Sequence, residues 1–131
     1  MIDTTERFLK EIAERIGPAR IEEVRLFPPM RQGGTETGVA IVASSAAPRP
    51  WHTVYSASYR HTLKGADRGK WEVEVTAEAD APLVTVDEVV RGVMKRAGEQ
   101  FEPERISAAA FRSIVGYAGE VDAGGSADTE V

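Results

Sequence analysis

The spacing of apolar positions changes period along the chain, and each change marks an element. From Asp3 to Ile16 the apolar residues Phe8, Leu9, Ile12, Ala13 and Ile16 follow one helical stripe. Asp3 precedes Glu6 by three residues, the spacing of a capping box, and Gly17-Pro18 supplies a stop. Glu6–Lys10 and Glu11–Arg15 are i,i+4 pairs on the outer face. The pattern predicts a helix over 3–16.

The period then shortens. Ile21, Val24, Leu26 and Phe27 suggest a strand over 20–27 without strict alternation, as a bulge or twisted edge would give, and Pro28-Pro29 end it. Met30 to Thr37, with Gly33 and Gly34, reads as a loop. Val39 to Ala43 is apolar on both parities, which suits a central strand covered on both faces.

Residues 51–64 and 70–80 alternate most clearly. Trp51, Thr53, Tyr55, Ala57, Tyr59, His61 and Leu63 share one parity with Trp71, Val73, Val75, Ala77 and Ala79. The other parity carries Arg60, Lys64, Lys70, Glu72, Glu74, Glu78 and Asp80, with Val54 as its one apolar exception. Side chains alternate across a strand, so the pattern predicts a hairpin with one apolar and one polar face. The turn formers from Gly65 to Gly69 connect it, and an odd-with-odd register would set Arg60 near Glu74 or Lys64 near Glu72.

Beyond Pro82, Thr85-Val86-Asp87-Glu88 forms a second capping box before a stripe of Val86, Val89, Val90, Val93, Met94 and Ala97 that Gly98 ends. Pro103 suits the first turn of a third helix over 103–115, with a strand over 106–115 as the alternative. Residues 117–131 hold four acids and no base and read as a disordered tail. The expected fold is α+β: a four-stranded antiparallel meander sheet with helices packed on one face, in the order α-β-β-β-β-α-α. It forms a single domain over 1–116.

Composition narrows the chemistry. No cysteine is present, which excludes disulfides, thiolate metal sites and a cysteine nucleophile and fits a cytoplasmic setting. No apolar run reaches membrane-spanning length, and the N-terminus does not read as a signal peptide. The net charge is −5, unevenly spread: residues 49–71 carry +4, residues 72–131 carry −8 and residues 1–48 carry −1. An acidic chain is poorly placed to bind nucleic acid through its overall field.

No motif for catalysis, metal or cofactor survives its own geometry, and no cofactor is expected. Gly33 to Gly38 has the glycine spacing of a phosphate loop, but Val39-Ala40 stand where a lysine and a hydroxyl are needed, and a strand follows instead of a helix. His52 and His61 fall on opposite faces of one strand. The carboxylates Glu72, Glu74, Glu78 and Asp80 sit about 7 Å apart along a face, too far for neighbours to converge on a cation. Aromatic and basic residues interleave over 49–71 as in single-strand nucleic-acid binders, yet parity puts the rings inward and most of the bases outward.

Two function classes follow. The first is a non-enzymatic binding or assembly module. Its basic surface, Arg60, Lys64, Arg68 and Lys70, would dock an acidic protein partner or a second copy in a homo-oligomer. The second is a small-molecule binder or small enzyme with a pocket at Tyr55, Tyr59, His61 and Trp71, where His61 would be the acid or base.

Overall fold

The computed structural model describes residues 3–45, 52–81, 84–96 and 102–117. Helix α1 spans Thr4–Ile16, and the Asp3 carboxylate caps it by accepting from the Glu6 N–H at 2.9 Å. Its stripe of Phe8, Leu9, Ile12, Ala13 and Ile16 is buried throughout, as the spacing predicts. Gly17 ends the helix at φ 104°, which a side-chain-bearing residue adopts only with strain.

The sheet is antiparallel and has six strands rather than the expected four. They are β1 (Ile21–Leu26), β2 (Met30–Gln32), β3 (Thr35–Ser45), β4 (His52–Thr62), β5 (Trp71–Ala81) and β6 (Glu104–Ser107). The order across the sheet is β5-β4-β3-β1-β6, and β2 lies beyond β1 along the same side of β3. β2 falls in the segment read as a loop. Gly33 and Gly34, at φ 59° and 83°, make a two-residue turn that pairs Gln32 with Thr35, so only two residues are loop there. Pro28-Pro29 interrupt what would otherwise be one long strand, because proline offers no N–H to the ladder.

β6 occupies the start of the segment expected to be a third helix. Ile106 pairs with Val24 of β1, and only then does α3 (Ala108–Val115) begin. Ser107 ends the strand and caps the helix, its Oγ accepting from the Ala110 N–H at 3.2 Å. Gly116 closes α3 in the left-handed region at φ 75°. Of the expected tail only Tyr117 is among the described residues; the rest lies outside them. Helix α2 spans Val84–Arg96, so Thr85 stands inside it rather than capping it. The expected stop at Gly98 lies outside the described residues.

The helices cover both faces of the sheet, not one. α1 and α3 close the first core, around Phe8, Leu9, Ile12, Val24, Val42 and Phe111. α2 closes the second, with Val86 and Val90 packed on Phe27, Ile41, Ala43 and Val54. The reason is legible in β3, whose apolar residues of both parities need cover on both sides. Val54 is accounted for in the same way. It is fully buried under α2, and a bulge between Val54 and Tyr55 leaves Glu78 as an extra residue in β5.

An ion-pair group docks α2. A register shift between Ile21 and Glu23 turns the Glu23 side chain inward, where it is 6 % exposed. It accepts from Arg25 Nε and, at 3.3 Å, from Arg105 Nη2. Arg25 Nη2 donates onward to Asp87 Oδ1 in the first turn of α2 at 2.9 Å.

Candidate functional site

The β4–β5 hairpin keeps the expected odd-with-odd pairing from the turn to Tyr55, where His61 faces Trp71, Tyr59 faces Val73 and Ala57 faces Val75, and loses it beyond the bulge, where Val54 faces Ala79. The register is neither of the two expected, lying two residues from the Arg60–Glu74 pairing and four from the Lys64–Glu72 pairing, so Arg60 faces Glu72 while Glu74 faces Ser58. The turn decides this. Thr62 N–H donates to Lys70 O at 2.9 Å and Gly69 N–H to Thr62 O at 2.7 Å, which fixes where the strands begin to pair.

Three of the four aromatic-face candidates form one stack under the start of α1. Phe8 meets Tyr59 edge-on at 4.8 Å, Tyr59 stacks on Trp71 at 4.9 Å and 18°, and His61 meets Trp71 edge-on at 5.6 Å. Arg7 lies with Cζ 4.2 Å over the Trp71 ring and caps the stack with a cation. Tyr55 shares this face but stands outside the stack, opposite Val42 and Ala77. The Tyr59 ring crosses the backbone of Gly38, where a Cβ would overlap it.

Polar groups at this end are few. Glu36, directly across from His61, is buried and accepts from Arg31 Nε at 3.3 Å. Burial first, and then the charge of the Glu36 carboxylate and a hydrogen bond to it, together push the Tyr59 phenol up to about 12. His61 Nδ1 and Trp71 Nε1 are buried without a hydrogen-bond partner among the described residues. Ring packing holds His61 and Trp71 here, and Tyr59 adds its hydrogen bond to Glu36. Glu36, Arg7 and Gly38 were not among the sequence candidates. Nothing in a single chain marks a buried glutamate on a strand that begins as polar as Thr-Glu-Thr-Gly.

A concavity of about 550 Å³ lies on the opposite face, lined by Thr37, Ser58, Arg60, Glu72 and Glu74 among others. The basic candidates Arg60, Lys64, Arg68 and Lys70 are all exposed. Arg60 points to this face, while Lys64, Arg68 and Lys70 surround the exposed turn. Lys70 pairs with Glu72 at 3.6 Å, and the Lys64 chain lies over Gly34 of the neighbouring turn. No group of histidine and acidic residues among those described could hold a metal ion.

The hairpin also presents an edge. β5 is eleven residues long and pairs with β4 on one side; among the described residues no strand pairs with the other side. Its two faces differ sharply. Trp71, Val73 and Val75 pack only partly against the first core, while Glu72, Glu74 and Thr76 are exposed on the other face. No helix among the described residues is long and apolar enough to cross a membrane. No family model, curated protein or solved structure matches the chain.

Proposed function

We propose that the chain is a non-enzymatic protein-binding or assembly module whose working element is the outer edge of β5. One observation carries this reading. The outer side of β5, unpaired among the described residues and uninterrupted from Trp71 to the bulge at Glu78, stands beside a half-covered apolar stripe of Trp71, Val73 and Val75. An open edge offers a row of backbone donors and acceptors, and an extended segment laid against it gains hydrogen bonds and apolar contact together. The β6 edge is four residues long and so offers far less. A cysteine-free acidic chain fits a cytoplasmic adaptor of this kind.

The test is selection from a displayed library of extended peptides, followed by amide hydrogen exchange on the bound chain. Slowed exchange confined to β5 supports the reading. Selected peptides that protect only other elements overturn it. Light scattering across a salt series shows at the same time whether the chain assembles with itself.

A second reading rests on the concavity. Arg60 opposite Glu72, and Ser58 opposite Glu74, with the hydroxyl of Thr37, offer donors and acceptors to a small polar ligand. Thermal-shift screening of polar metabolites, with Arg60→Ala as the control, tests it. A stabilising ligand whose effect survives Arg60→Ala does not bind there.

A further inference from the structure

Resting on the edge-strand reading above, we infer that the segment taken up by β5 is basic: an extended stretch of another protein in which Lys or Arg alternates with small or branched apolar residues. The argument begins with the pleat. A strand added to an edge places each side chain on the same face as the residue directly opposite it. Beside Glu72 and Glu74 the incoming residues meet two exposed carboxylates, and beside Val73 and Val75 they meet half-buried apolar groups. Alternating cation and apolar side chains satisfy both rows at once. The stems of Lys or Arg also cover the aliphatic part of the glutamates while their charged ends reach water. On the β4 side, Arg60 already answers Glu72, and Lys70 lies 3.6 Å from it, whereas Ser58 faces Glu74 with no charge. The acidic row is therefore only partly neutralised from within.

A second copy of β5 fits the edge poorly. A two-fold antiparallel pairing sets equal parities opposite each other. Centred on Glu72 it opposes Glu72 to its own mate, centred on Val73 it opposes Glu72 to Glu74 twice, and centred on Glu74 it opposes Glu74 to its mate; centred on Val75 it opposes no like charges, but only Val73 to Ala77 pair before the bulge at Glu78. Like charges directly opposite are destabilising. A centre at Trp71 does bring Lys70 against Glu72, but it runs the rest of β5 past the Leu63–Gly69 connection, which is not strand. The bulge at Glu78 interrupts the edge farther along, so the usable window is short, about Trp71 to Ala77.

The experiment uses the full chain with a labelled, end-blocked peptide of four Lys-Val repeats, read by fluorescence anisotropy and by amide exchange across β5. Two comparison peptides replace every lysine of that repeat, one with serine and one with glutamate. A third is a block peptide of four lysines followed by four valines. A fourth keeps the Lys-Val repeat with alternate amides N-methylated. The proposal expects the Lys-Val peptide to bind about tenfold tighter than the Ser-Val peptide. It also expects the Lys-Val peptide to slow exchange in β5, and expects the N-methylated form to do neither. The exposed double variant Glu72→Lys with Glu74→Lys should lose the preference while keeping its near-UV spectrum. If the Ser-Val or Glu-Val peptide protects β5 as well as the lysine peptide, the basic partner is overturned and the edge reading stands. If no peptide slows exchange in β5, the edge reading falls too. Equal binding by the block peptide, or a dimer that protects β5 without any peptide, overturns the proposal.

Discussion

The ring of Tyr59 lies over Gly38, its direct partner on the neighbouring strand, and fills the space that any side chain there would need. The contact lets the rings of Phe8, Tyr59 and Trp71 stack close to the sheet. Gly38→Ala should cost about 2 kcal/mol by overpacking, because the added methyl displaces a ring held on both sides. The urea midpoint measures this. Gly38→Ala with Tyr59→Leu should recover part of the loss, since the shorter side chain vacates the space.

Tyr59 also makes stability depend on alkaline pH. Its phenol is pushed up to about 12 in the folded chain, chiefly by burial. The unfolded chain titrates near the ordinary value of about 10. The folded state therefore holds this proton more tightly. Its contribution is fully present below about pH 10 and is lost as pH rises through about 12. Between these limits the urea midpoint of the parent chain should fall more steeply than that of Tyr59→Phe. Titration at 295 nm should show a late phenolate step that Tyr59→Phe lacks.

Glu23 ties three elements together. Glu23→Ala removes the acceptor shared by Arg25 and Arg105 and leaves Arg25, 19 % exposed, with Asp87 alone. The expected cost is about 3 kcal/mol, at the low end for a buried pair because Arg105 reaches water. Arg105→Ala should cost under about 1 kcal/mol, as for an exposed partner. Chemical denaturation of both variants checks the contrast, and similar losses would refute it.

Ser107 joins β6 to α3. Ser107→Ala removes the side chain that accepts the Ala110 N–H and should cost about 1 kcal/mol, whereas Ser107→Asp should restore most of it. Thermal melts of the two variants separate capping from strand pairing, because both replacements keep the Glu23–Ser107 backbone register.

Much of this architecture is legible along the chain, where local rules decide it. The stripe from Phe8 to Ile16 needs only periodicity, and the two faces of β4 and β5 need only parity. The double-sided character of Val39 to Ala43 already points to cover on both faces, yet a four-strand plan with helices on one face leaves one side of it bare. β6 is harder to see. Glu104 to Ser107 carries one buried apolar residue, Ile106, and becomes a strand because β1 offers an open edge, which no local pattern reports. The same holds for the candidate site. Tyr59, His61 and Trp71 are legible as face-mates, but the capping cation Arg7 comes from another element. The outer side of β5, unpaired among the described residues, is a property of sheet order, which is set by pairings distant in sequence.

Ile41 and Val42 are adjacent in sequence, yet one belongs to the core beneath α2 and the other to the core beneath α1 and α3. A single peptide bond thus welds the two interiors, and the one beneath α2 has no strand of its own to fall back on. Heat should melt both sides in one step, with calorimetric and van't Hoff enthalpies in agreement. The chain then has no half that could be excised and still fold.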